Sequence, residues 1–221
     1  MYGFVHIVQI LIEGGRPDLT ESFISTKDRI ISTAIEIISD SGISQLTTKT
    51  VSLKANISEP LLYKFYGDMN ELLVDVVDYY FKFDNTVEKT VRAQKGRYID
   101  KIMTYVETYA TYYDSYSELC TLMLQFEELL HNASTREKIV EGMNNRRDFL
   151  ITLFDGAIDK GELSIPLTSR QLADSVMGYF LMDSFNRRIT YNSWTYKKCI
   201  CEFTKNLLGL SINKDKNKGE D

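Results

Sequence analysis

The sequence predicts an all-α protein of about nine helices, three short ones followed by six longer ones. Three observations carry that prediction. Only three prolines, Pro17, Pro60 and Pro166, interrupt the 221 residues, where a turn-rich β protein needs many more breaks. Apolar residues recur at three- and four-residue steps, and no segment alternates with the period of two that a half-buried strand requires. Ser, Thr or Asp stands before these stripes and Gly or Asn after them, as helix caps do. With 43% hydrophobic residues the chain can build one large domain, or a small one joined to a larger one.

Residues 1–24 carry a short apolar stretch, Phe4 to Ile12, cut off by Gly14-Gly15-Arg16-Pro17. They lack the basic flank and cleavage pattern of a secretion signal and read as a poorly ordered N-terminal extension. Helix one is expected over about 27–40, where Ile30, Ala34, Ile37 and Ile38 form a stripe between Ser25 or Thr26 and Gly42. Thr47-Thr48 opens a short second helix with Val51, Leu53 and Ala55. Asn56 tolerates the left-handed turn that follows. Ser58 caps a third helix over about 59–66, stopped by Gly67. Asp68 with Glu71 resembles a capping box for a fourth, expected to run to about Ala93. Further helices are expected over 98–115, 117–131, 135–160, 168–191 and 194–209. Residues 211–221, polar and charged, read as a disordered tail.

The stretch ANISEPLLYKFYGDMNELL, Ala55 to Leu73, holds the most specific signal. Two short helices joined by the tight Ala55-Asn56-Ile57 turn, with helix one across them, make a helix-turn-helix. In such a unit the second helix is short and exposed on one face, so that its first turn enters the major groove. Pro60 fits there, because a first-turn N–H has no intrahelical partner to lose.

Arg29 to Leu73 resembles the TetR family of transcriptional regulators. The residues that carry the likeness are the Ile30/Ala34 stripe, Gly42, Thr47-Thr48, Val51, Ala55, Ile57-Ser58, Leu62-Tyr63-Lys64-Phe65-Tyr66 and Glu71-Leu72-Leu73. The resemblance implies a DNA-binding domain over 25–70 and a helical ligand-binding and dimerisation domain over 71–210. It further implies a homodimer that binds a palindromic operator in double-stranded DNA and, as a repressor, releases it when a small-molecule effector binds. Ser58, Glu59, Pro60 and Leu61 are then the positions facing base edges. Thr48, Lys49, Tyr63, Lys64 and Phe65 would lie along the backbone, while Tyr66 is expected in the core under helix one. Met69 stands where the family commonly has a Lys on a phosphate, which removes one such contact.

The electrostatic footprint is thin. Over 25–66, Lys27, Arg29, Lys49, Lys54 and Lys64 face Asp28, Glu36, Asp40 and Glu59, and Asp68, Glu71 and Asp75 follow. A net charge of −5 excludes a protein that coats nucleic acid with its whole surface. A second reading is therefore a TetR-like helical dimer with weakened DNA binding that acts through protein contacts.

Residues 98–191 are rich in aromatic side chains at helical spacing. Each taken singly reads as core. Together Tyr105, Tyr109, Tyr112 and Phe126 are the candidates for an effector pocket, which the resemblance places in this half. Leu172, Val176, Tyr179 and Phe180, with Phe203 and Leu207 of the last helix, are the candidate dimer interface. Three cysteines give no disulfide framework and point to a reducing, cytoplasmic setting. Cys199 and Cys201 fall on different helix faces, so neither a metal site nor a cofactor is expected. No phosphate loop, nucleophile elbow or paired-cysteine zinc pattern occurs, and the chain does not read as an enzyme. No apolar run approaches the ~20 residues of a membrane span.

Overall fold

The computed structural model describes residues 25–190 and 194–212. The expected N-terminal extension, the 191–193 link and most of the expected tail lie outside them. All regular structure among the described residues is helical. In chain order the α-helices are α1 (Thr26–Ser41), α2 (Thr48–Lys54), α3 (Glu59–Phe65), α4 (Met69–Phe81), α5 (Asp84–Ala93), α6 (Tyr98–Ser115), α7 (Ser117–Met123), α8 (Phe126–Leu130), α9 (Ala133–Asp159), α10 (Ser169–Thr190) and α11 (Tyr196–Ile212). A 3₁₀ turn, Ile43–Gln45, joins α1 to the loop before α2.

The described residues divide into two compact units, but not at the expected residue 70. The first holds the chain up to Lys82 together with Tyr116–Gly142. The second holds Phe83–Ser115 and the chain from Met143 onward. α9 contributes residues 133–142 to the first unit and the remainder to the second.

In the first unit α1 is the centre. Ile30, Ala34 and Ile38 are wholly buried, and α2, α4 and α7 pack around them. Gly42 ends α1 at φ 86°, a conformation that suits a residue without a side chain. α4 is then clasped by α9: Lys138 Nζ lies 2.6 Å from Asp78, and Asn132 donates to Asn70 at 2.7 Å. At Gly142 the helices come so close that a Cβ would stand 2.6 Å from the Phe81 ring.

In the second unit α6 packs against α11 and α5, and α10 packs against α11. Asp114 of α6 closes the start of α11, accepting from the backbone N–H groups of Tyr196 (2.7 Å) and Lys197 (3.0 Å) and from Arg187 Nη2 (2.9 Å). A carboxylate at a helix N-terminus meets donors that have no intrahelical partner.

Two expected long helices are broken. The fourth stops at Phe81 and restarts at Asp84. Phe83 is buried against Tyr112, ring centroids 4.8 Å apart, and Asp84 is held by Arg146, so tertiary contacts override a continuous apolar stripe. The expected helix over 117–131 becomes α7 and α8, separated at Leu124-Gln125.

Candidate functional site

The helix-turn-helix is built almost wholly from local bonds. Thr47 caps α2, accepting from Thr50 N at 3.1 Å, and Thr50 Oγ1 in return accepts from Thr47 N at 2.9 Å. Asn56 turns the chain at φ 53°, where Asn is better tolerated than most residues. Ser58 caps α3, accepting from Leu61 N at 3.3 Å, with Pro60 in the first turn where it displaces no intrahelical bond. Asp68 caps α4 through Asn70 N and Glu71 N, and Glu71 reaches back to Gly67 N at 2.6 Å. This closes the box one residue earlier than the sequence spacing implied.

These caps orient α3. Leu62 is 1% exposed and Tyr66 just beyond the helix 4%, so both anchor the unit inward. Tyr66 donates its hydroxyl to Asp75 at 2.9 Å, and burial, with the Asp75 bond, pushes its phenol well above the usual range. Ser58, Glu59, Pro60 and Lys64 are exposed, Leu61 is partly so, and Tyr63 and Phe65 stand 54% and 39% exposed. From α2, Lys49 is exposed and Thr48 partly so. All nine candidate DNA-facing residues thus belong to two adjoining helices or, for Ser58, to the cap of the second, and keep some solvent access.

The cations divide. Lys27 Nζ lies 2.7 Å from Asp75, while Lys54 lies 3.3 Å from Glu36 and 3.2 Å from Asp40. Lys49 and Lys64 have no ion pair among the described residues. The four lysines therefore do not share one uncommitted basic face.

The candidate effector residues are not all brought together. Tyr105, Tyr109 and Tyr112 are buried in the second unit. Phe126 belongs to the first, where its ring centroid lies 4.8 Å from that of Tyr80. Tyr112 turns toward Phe83. The aromatic run that does form is Phe149–Tyr105–Tyr109–Tyr113, with centroids 5.4, 4.8 and 6.2 Å apart in that order. At its centre lies a charge pair the sequence reading missed. Arg146 Nε and Nη2 donate to the two oxygens of Asp84 at 2.7 and 2.8 Å, and Nη1 donates to the Tyr113 hydroxyl at 2.9 Å. Tyr109 donates to Asp84 Oδ1 at 2.8 Å. Burial pushes the phenols of Tyr105 and Tyr109 upward, so both keep their protons at neutral pH. The one sequence hint was an Arg among core positions of an aromatic-rich half.

The candidate dimer residues also divide. Leu172, Val176 and Phe180 are buried within their own chain and have little area left for a partner. Tyr179 and Phe203 stack face to face at 4.2 Å and keep part of their surface, as does Leu207. The uncovered apolar face of α10 is instead Leu181, Met182, Phe185 and Ile189, each about half exposed. Near the start of α11 an open groove of about 500 Å³ is lined by Met103, Glu107, Lys197, Cys201 and Lys205 among others. Lys197 is already paired with Glu107 at 2.7 Å. Among the described residues no group of His, Cys, Asp and Glu is placed to hold a metal, and no helix is long and apolar enough to cross a membrane.

Residues 30–76 match the family model described as bacterial regulatory proteins, tetR family. No curated sequence relative matches the chain. Among solved structures, the fatty acid degradation regulator FadR from Bacillus halodurans is similar with a TM-score of 0.71 at 17% identity, over 86% of this chain and 97% of that one. FadR from Bacillus subtilis, solved in complex with stearoyl-CoA, gives 0.66 at 17% identity over 84% and 97%. AibR, solved in complex with isovaleryl coenzyme A and operator DNA, gives 0.69 at 16% identity over 82% and 97%. Likeness at such identities is likeness of fold. Residues 30–76 thus match the tetR-family model, and the helical fold of these regulators is shared along most of the chain.

Proposed function

We propose that this chain is a homodimeric repressor that binds a palindromic operator through α3 and releases it when a small molecule binds the second unit. The observation that carries the reading is α3 itself, capped at Ser58, anchored by Leu62 and open along its other face. Ser58, Glu59, Pro60 and Leu61 supply the base-facing turn. There Leu61 and Pro60 suit thymine methyls, and Glu59 suits a cytosine amino group. Thr48, Lys49, Tyr63, Lys64 and Phe65 supply the backbone contacts, of which only the lysines bring charge.

Two phosphate-contacting lysines per head, Lys49 and Lys64, predict a shallow salt dependence. Four phosphates neutralised by a dimer correspond to a slope of roughly −3 to −4 in log K against log salt. A gel-shift titration on the DNA upstream of the chain's own coding sequence, at two salt concentrations, tests this. Saturable binding with that slope is expected; the absence of saturable binding to any palindromic fragment sinks the DNA reading. The second reading, a TetR-like dimer working through protein contacts, is favoured by the commitment of Lys27 and Lys54 to carboxylates. It predicts no saturable binding in the same titration.

For the dimer, α10 and α11 offer Leu181, Met182, Phe185 and Ile189 beside Tyr179, Phe203 and Leu207. Phe185→Glu places a charge at the centre of that face and is expected to yield monomer in light scattering. The effector belongs in the aromatic second unit. The FadR and AibR structures, solved with coenzyme A thioesters, make acyl thioesters one class to screen.

A further inference from the structure

Asp84 and Arg146 are 12% and 8% exposed at their side chains and bonded in fork geometry. Removing two charges from water costs solvation that apolar packing of similar volume does not, so stability alone is a weak reason for such a pair. What the arrangement does provide is a receptor for a carboxylate. The guanidinium presents two parallel donors, Tyr109 adds a third through its hydroxyl, and Tyr113 holds the remaining guanidinium nitrogen in place. The Tyr109 ring lies 4.7 Å from the guanidinium carbon and walls one side. The occupant is the chain's own carboxylate, carried by the first residue of α5.

We propose that Arg146, Tyr109 and Tyr113 form a carboxylate subsite, occupied by Asp84 in this state and taken over by the acid group of a small-molecule effector. The proposal rests on the reading of the second unit as the effector-sensing one. Exchange of one carboxylate for another preserves the three bonds to the subsite and returns Asp84 to water. The balance is then set by what else the effector buries. Tyr105 and Phe149, next along the aromatic run and buried against each other in this state, are the apolar surface that the body of an effector parts and covers. The class is thus an apolar monocarboxylic acid; an alcohol, amide or ester lacks the second charged oxygen that the fork requires. Asp84 is two residues past Lys82, where the chain leaves the first unit. Its release frees the turn that leads out of α4.

The test needs neither DNA nor a known effector. Asp84→Ala opens the subsite, and acetate is the probe, with acetamide and sodium chloride as controls. At ten times its half-saturating concentration, acetate is expected to raise the thermal midpoint of Asp84→Ala by roughly 3–6 °C beyond its effect on the wild type. Acetamide is expected to give no such rise, and Asp84→Ala/Arg146→Met to lose it. An acetate response equal to that of the wild type, or equal to that of acetamide, overturns the subsite. Where the Ala variant does not fold, Asp84→Asn keeps the size and removes the charge. It is expected to respond to acetate more than the wild type does, and equality there overturns the proposal too. A failed gel shift, by contrast, removes the DNA reading and leaves this thermal result standing.

Discussion

The two units place their important side chains by opposite means. In the helix-turn-helix of the first, the capping bonds join near neighbours: Thr47 with Thr50, Ser58 with Leu61, Asp68 with Asn70 and Glu71. In the second, the partners lie far apart in sequence. Asp84 and Arg146 are 62 residues apart, Arg187 and Asp114 are 73, and Tyr196 and Asp114 are 82. Local caps fix the geometry of a short helix within a few residues of chain. Long-range polar bonds make a unit whose arrangement depends on several helices at once, and such bonds have alternatives when a ligand offers them. On the proposed reading, the DNA-binding helices are of the first kind and the effector-sensing unit is of the second.

The largest expected effect lies at the buried pair of the second unit. Arg146→Ala leaves the Asp84 carboxylate buried without its counter-charge and is expected to cost about 3–5 kcal/mol in thermal or urea unfolding. Asp84→Leu/Arg146→Met, which removes both charges, is expected to cost much less. Equal losses would mean that packing, and not charge, holds this core. In the head, Leu62→Ala removes a wholly buried anchor and is expected to cost about 2–4 kcal/mol. Its loss of DNA binding should follow its loss of folded protein in a paired gel shift and unfolding curve.

Smaller effects separate caps from charges. Ser58→Ala removes one cap and is expected to cost about 1 kcal/mol, measured by urea unfolding. A negligible cost would mean that tertiary packing alone positions α3. Lys49→Ala and Lys64→Ala are exposed changes expected to move stability by no more than about 0.5 kcal/mol. Each is expected to reduce the DNA salt slope by about one unit per lost phosphate contact, or about two in the dimer. An unchanged slope would place those lysines away from the phosphates.

How much was legible in the sequence follows the same division. The boundaries of α1, α2 and α3, the turn at Asn56 and the inward placement of Tyr66 were all readable, because caps and apolar spacing act within a few residues. The resemblance implied an outward Tyr63, and Tyr63 is 54% exposed. Phe126 is aromatic like the tyrosines of α6 but does not share their unit, and aromatic content cannot reveal which core a ring joins. Leu172, Val176 and Phe180 form a real apolar stripe on α10, yet a stripe does not say whether its cover is the same chain or another. Here α10 turns that stripe inward and leaves Leu181, Met182, Phe185 and Ile189 outside.

By itself the sequence determined the all-helical class, the helix-turn-helix and the face of α3 that stays open. Periodicity, capping and the fixed φ of Pro60 are properties of short segments, and short segments suffice to express them. Tertiary structure decided where α4 ends, which tyrosines gather, and that Asp84 meets Arg146. The apolar stripe through Phe83 favoured a continuous helix; a fork of hydrogen bonds from a helix sixty residues further on broke it. A buried charge must be paired wherever its partner lies in the chain, and only the folded arrangement brings that partner within reach.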